Sequence, residues 1–303
     1  MHISQHTIRK QDFIRKLLLL LMLLLSFGAS YAQNDSIASN DSTLSAARST
    51  RASEVNTTQK FYSTDLYAAQ YAGGTGTKDD PFLIANDLQL AKLAHDVTNG
   101  TATSGKYYKL IDDIHLTQGL WMPIGTTSAK VDRYFAGKFN GNGHTIKDMH
   151  ISWTNESGSQ SRWGLFAKIK GSGTSESQFA AVSNLVIDGA LVEMKEGYTP
   201  QGTDLIKLGI LAGEACDNTE ISNIIIRNSK LTDNEKKYTS NCQYRIGGVA
   251  GYLENAPYRI FNIVSGAEVP RLSEWAVSSV TPVVSRKTRS TIYLLPIFLP
   301  MER

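Results

Sequence analysis

Cysteine is nearly missing from this chain: 303 residues carry two, Cys216 and Cys242. Two are too few for a disulfide scaffold or a structural zinc site. A surplus of charge is missing too. The formal net charge is +3, and the first 32 residues, with Arg9, Lys10, Arg15 and Lys16 against Asp12, supply it. The remainder is formally neutral and holds no basic cluster. Nucleic acid, which needs phosphate-neutralising charge, is therefore excluded as an expected partner. Nor is there an electrostatic reason to bind a membrane surface. After residue 32 no apolar run approaches the ~20 residues of a spanning helix. Ile292–Leu299 is broken by Pro296 and closed by Pro300.

What the first 32 residues do have is the order of an export signal. A basic region reaches Lys16, an apolar run follows from Leu17, and Ser30-Tyr31-Ala32 supplies small-x-small before Gln33. Residues 1–32 are thus expected to be a cleaved signal peptide. No Cys lies near the cleavage point, so lipid attachment there has no chemistry. Residues 33–66 are rich in Ser, Thr, Asn, Asp and Ala without apolar periodicity, which predicts a disordered polar linker. Asp35-Ser36-Ile37 and Asp41-Ser42-Thr43 resemble acceptors of bacterial O-glycosylation.

The folded region is expected over residues 67–270. Asn86-x-x-Gln89 is a capping-box signature. Leu90, Leu93, Ala94 and Val97 then mark the buried face of a short helix, which Asn99-Gly100 ends. Beyond it the chain reads as short strands broken by Gly, Asn and Ser. Asp148-Met149-His150-Ile151, Asn184-Leu185-Val186-Ile187, Asn223-Ile224-Ile225-Ile226 and Asn262-Ile263-Val264-Ser265 superpose at spacings of 36, 39 and 39. A Gly-flanked element precedes each of the last three: Gly164-Leu165-Phe166-Ala167, Gly209-Ile210-Leu211-Ala212-Gly213 and Gly247-Gly248-Val249-Ala250-Gly251. A fixed order at a fixed period is the mark of a solenoid, whose passes bury their apolar faces only by stacking. Asn184, Asn223 and Asn262 are expected to stack in a column headed by Asp148, because an amide both donates and accepts.

The segment Phe135-x-Gly137-x-Phe139-x-Gly141-Asn142-Gly143-His144-Thr145-Ile146 makes a resemblance specific. With Gly74-Thr75-Gly76, Asp80-Pro81-Phe82-Leu83-Ile84, Tyr107-Tyr108-Lys109-Leu110, Asp113-Ile114 and Trp121-Met122-Pro123-Ile124-Gly125 it resembles the GLUG-motif beta-solenoid proteins of bacterial surfaces. It is also similar to the amino-terminal repeats of IgA1-specific metallopeptidases. The resemblance implies an all-β fold, a right-handed parallel beta-helix of the pectin lyase type with a short amino-terminal capping helix. It implies export and display on a Gram-negative outer surface, and no single activity. Residues 271–303 lack both repeat elements and read as an irregular, non-native or capping tail.

Residues that could carry chemistry were weighed against structural roles. Asp79, Asp80, Asp112, Asp113 and Asp132 with Lys109, Lys138 and Arg133 are the set a beta-helix lyase would draw on, yet no spacing forces them together. Asn142-Gly143 is a turn signal, with Gly141 before it and His144 ordering it through a ring hydrogen bond. His95, His115 and His150 show no ligand spacing. Trp121, Trp153 and Trp163 are expected in the core rather than on a sugar platform. No catalytic, metal or cofactor residue is expected. The sequence reads as a non-catalytic, adhesin-like surface protein that binds a glycan or a host matrix protein. The alternatives are a polysaccharide lyase or glycoside hydrolase of the same fold, and a fragment of a larger surface protein.

Overall fold

A computed structural model describes residues 59–154, 160–200, 204–232, 243–255 and 258–269. All of them belong to one contact unit, Thr58–Arg303. The expected signal peptide, most of the expected linker, Cys242 and the tail 271–303 lie outside the described residues.

Seventeen strands and one helix are described. First come β1 (Phe82–Ile84), α1 (Asp87–Thr98), β2 (Tyr107–Leu110), β3 (Ile114–His115), β4 (Lys138–Asn140) and β5 (Thr145–Lys147). Then the chain visits four sheets in one order three times. The first pass is β6 (His150–Trp153), β7 (Gln160–Trp163), β8 (Phe166–Lys170) and β9 (Ala180–Asp188). The second is β10 (Leu191–Met194), β11 (Leu205–Gly209), β12 (Ala212–Cys216) and β13 (Thr219–Arg227). The third is β14 (Lys230–Thr232), β15 (Gln243–Gly247), β16 (Ala250–Glu254) and β17 (Tyr258–Ser265). Every pairing between these strands is parallel, and the largest sheet runs β1-β2-β4-β9-β13-β17. The protein is mostly β, with parallel sheets.

Each pass must turn corners without losing register, and Asn, Asp and Gly in the left-handed region take those corners. Asn184, Asn223 and Asn262 have φ of 54°, 53° and 53°. Their short polar side chains tolerate this conformation at lower cost than others do. The corner also resets strand parity. Ile221 and Ile224 both face inward although they are three residues apart, and Ile226 follows two later; all are fully buried, as are Val182, Leu185 and Ile187 in register beneath them. Strict alternation would have put either Ile221 or Ile224 in water. Each fully buried Ile contributes about 1.5–3 kcal/mol.

The helix forms as its sequence predicts. Asn86 Oδ1 accepts the Gln89 amide at 3.0 Å, and Gln89 Oε1 accepts the Ala85 amide at 2.8 Å. Leu90, Leu93, Ala94 and Val97 are buried in the common core. Trp121, Trp153 and Trp163 are buried as well. The fold begins earlier than the expected boundary at residue 67. Tyr62 is fully buried, donates its hydroxyl to Asp87 at 2.8 Å and packs its ring 5.8 Å from that of Trp121. Phe61 and Tyr62, side by side in a polar stretch, give no period, so the sequence alone leaves Tyr62 with the linker.

The repeated glycines serve close approach rather than turning. A Cβ on Gly164, Gly209, Gly213, Gly247 or Gly251 would fall between 2.2 and 2.6 Å from a backbone atom. At Gly213 those atoms are Trp163 N at 2.5 Å and Arg162 Cα at 2.7 Å, backbone that cannot step aside. Gly143 differs, with φ of 82° and open space around it. Gly213→Ala is therefore expected to destabilise by about 1–3 kcal/mol through overpacking, on top of whatever shift the sheets make. Gly143→Ala should cost about 1–2 kcal/mol from its left-handed backbone alone. Urea unfolding checks both losses, and a Gly213→Ala variant as stable as the parent would refute the close-approach account.

Candidate functional site

The outward face of the largest sheet carries the repeated polar groups. Asn223 Nδ2 donates to Asn184 Oδ1 at 2.8 Å, and Asn262 Nδ2 to Asn223 Oδ1 at 2.9 Å. Asn184 Nδ2 donates to Asn140 Oδ1 at 3.0 Å. Asn140, not Asp148, heads the column. Asp148 (φ 59°) lies a corner further on, in line with Gly189 and Asn228, and its amide donates to the Asp188 carbonyl. The polar-then-apolar pattern occurs at both corners of a pass, so the sequence fits two registers, and the wrong one gave the odd spacing of 36. Asn223 and Asn262 are also exposed, where a buried ladder was expected.

Next to the ladder, the turn Gly141–His144 is held by Asp113. Its Oδ1 accepts the Thr145 amide at 3.0 Å and lies 3.4 Å from His144 Nδ1, while its Oδ2 is 3.1 Å from Lys147 Nζ. The Thr145 amide, then Lys147, hold the Asp113 carboxyl below its ordinary value. Asp113 and His144 thus tie a turn, which is a structural arrangement.

Sequence reasoning missed a buried charge cluster. Strands β7, β11 and β15 put Arg162, Lys207 and Arg245 in one register column, and β8 and β12 put Lys168 beside Glu214. Glu214 is 1% exposed and is contacted by Arg162 Nε at 2.9 Å, Lys207 Nζ at 2.5 Å and Lys168 Nζ at 3.2 Å. Arg162 and Lys168 also reach Asp132, at 2.7 and 3.1 Å. Arg245 lies 3.8 Å over the Tyr252 ring, and Lys207 4.7 Å from it. A signal for it existed: Arg162, Lys207 and Arg245 each stand two residues before a repeated glycine.

This cluster brings two acids and several bases within a few ångströms, as a glycosidase or lyase would. Its chemistry points elsewhere. Burial pushes the Glu214 carboxyl up, but the Lys207 hydrogen bond and the charges of Lys207, Arg162 and Lys168 outweigh it and hold it at about 2. Such a group donates no proton near neutrality. Burial lowers the Lys207 ammonium more than Glu214 restores it, because that one carboxylate is shared among three cations. Next door, burial pushes the Cys216 thiol up to about 12, so it stays protonated and unreactive.

Of the residues weighed for catalysis, Asp79, Lys109 and Lys138 do share a place. They line an open cleft of about 320 Å3 with Lys78, Tyr107, Asn140 and Ser183 on the outer face of β2, β4 and β9. Asp132 joins the buried cluster and Asp113 the turn. Among the described residues no group of three or more His, Cys, Asp and Glu side chains could hold a metal ion. No described helix is long and apolar enough to cross a membrane.

No family model matches this chain, and no solved structure matches it. A stretch of 90 residues is 34% identical to a putative Gly-rich membrane protein of Evansella cellulosilytica. The match covers 28% of this chain and 9% of that protein.

Two predictions test the site's framework. Asn223→Gly keeps the left-handed corner and removes two ladder bonds, so it should cost about 1–3 kcal/mol, each bond being worth about 0.5–1.5. Asn223→Ala should cost about 1 kcal/mol more from its backbone. Chemical denaturation of both variants separates the two effects. Glu214→Gln should cost about 3–5 kcal/mol, since it strands buried cations. In the parent protein the folded-state value of Glu214 lies below its unfolded value of 4.5. Its stabilisation is therefore complete above about pH 4.5 and drains away as pH falls toward about 2. Urea melts across that range should show the loss in the parent and a flatter profile in the variant.

Proposed function

We propose that this chain is an exported, surface-displayed right-handed parallel beta-helix of the GLUG-repeat kind, and that it binds carbohydrate without cleaving it. The observation that carries the reading is the outward face of the largest sheet, where successive passes present the same group at the same place. The Asn184, Asn223 and Asn262 amides form one column, and Val186, Ile225 and Val264 form an aliphatic column beside it. Ile225 and Val264 are 42% and 61% exposed. Amides beside an aliphatic strip suit a saccharide, whose hydroxyls bond in the plane and whose ring carbons pack on apolar surface. A rigid stack holds such a face flat over several sugars. The similar stretch in a bacterial protein named as a Gly-rich membrane protein accords with a place at the cell envelope.

The non-catalytic part of the reading rests on the state of the acids. Glu214 is sealed and ionised, Asp113 is engaged in a turn, and Asp79 stands in the open cleft without a second carboxylate among that cleft's lining residues. Purified exported protein should begin at Gln33 by amino-terminal sequencing. It should bind a subset of an oligosaccharide array saturably and release no reducing or unsaturated ends on prolonged incubation. Sustained release that Asp132→Asn abolishes would establish the enzyme instead.

A further inference from the structure

We propose that the cleft at the Asn140 end of the ladder is a binding site for an acidic saccharide, one bearing a carboxylate or sulfate; the proposal rests on the carbohydrate reading above. The ladder has a direction. The Asn142 amide donates to Asn140 Oδ1 at 2.8 Å, which fixes that atom as the oxygen. Asn184 Nδ2 donates to the same oxygen, and the later rungs repeat the sense. Three amide-to-amide bonds therefore point one way and reinforce one another. The last donor in the series, Asn140 Nδ2, has no acceptor among the described residues, and Asn140 lines the cleft.

The charge around that donor has one prevailing sign. Lys78, Lys109 and Lys138 line the cleft against the single carboxylate of Asp79. Neither Lys78 nor Lys109 has an ion-pair partner among the described residues. Lys109 is in register with Asn140 on the neighbouring strand, so its ammonium and the free amide hydrogens approach one place. Lys138 is drawn off by a 2.9 Å bond to the Glu176 carbonyl and by the Glu220 and Glu176 carboxylates outside the cleft's lining, so Lys78 and Lys109 carry the cleft's free charge. An anionic oxygen satisfies the amide donor and the ammonium groups together. Asp79 adds an acceptor, which a bare anion has no use for and a sugar hydroxyl does. Half-buried Tyr107 gives the ring a face to rest on, and about 320 Å3 admits one sugar ring with its acidic group.

The test is titration calorimetry of the full exported chain with four probes: an oligogalacturonate, a sulfated dextran fragment, a neutral dextran fragment and poly-glutamate. At least one acidic saccharide should bind roughly tenfold or more tighter than the neutral one, with an advantage that shrinks as salt rises. Asn140→Asp keeps the oxygen that Asn142 and Asn184 need but replaces the free donor by charge. It should lower acidic-saccharide affinity by roughly tenfold at unchanged melting temperature, and Lys109→Gln by roughly fivefold. Lys230→Gln, on another sheet, should change nothing. Equal binding of acidic and neutral saccharides would overturn this proposal and leave the carbohydrate reading standing. Poly-glutamate binding as tightly as the acidic sugars would assign the cleft to acidic protein and overturn it. Absence of binding to every saccharide would overturn both.

Discussion

The whole structure depends on keeping parallel strands about 39 residues apart in register across repeated corners. Parallel pairing tolerates no slip here, because a one-residue shift would turn every inward Ile or Val outward. The left-handed Asn at the corner within β9, β13 and β17 secures this. It bends the backbone where a β-branched residue would be strained, and it resets parity so that apolar residues on both sides of the bend face inward. It also points its amide at the amide one pass away. The same residue thus sets geometry, register and surface chemistry.

Close packing of two sheets is the second constraint. Strand β12 packs so tightly against β7 of the preceding pass that Gly213 meets the backbone of Trp163. Side chains trapped in that arch have no water. Lys207 and Glu214 face each other there, and Arg162 and Lys168 complete the pairing. Burial of this kind stabilises little compared with an apolar filling of the same shape. It does fix which strands lie opposite, since any other register would leave a charge unpaired. Ionic pairing inside and amide pairing outside therefore specify one and the same stack.

The proposed function rests on where these two devices end. The buried cations Arg162, Lys168 and Lys207 share the carboxylates of Glu214 and Asp132. The exposed ladder neutralises itself only in the middle, since a chain of donors and acceptors always leaves an unmatched group at each end. At the Asn140 end that group is a donor; β2 places Lys109 in register with Asn140, and β4 carries Lys138 two residues before it.

Much of the fold was legible before any coordinates. The capping box of α1, its buried face, the repeated Gly-flanked and Asn-led strands and the core tryptophans are local patterns, and local patterns follow from backbone conformation and period. The head of the ladder was not legible, because the polar-apolar alternation fits both corners of a pass and only pairing with β9 distinguishes Asn140 from Asp148. Tyr62 was not legible, since two adjacent aromatics in a polar stretch have no period. The Arg162–Lys207–Arg245 column has unequal spacings of 45 and 38, and that inequality hides in the sequence what the folded sheets align. Sequence by itself determined the repeat and its corner residues, because these are set by composition and by conformations each residue can adopt alone. Tertiary structure alone decided which polar groups are sealed, which are shared and which are left over, because that depends on what the neighbouring pass places within hydrogen-bonding reach.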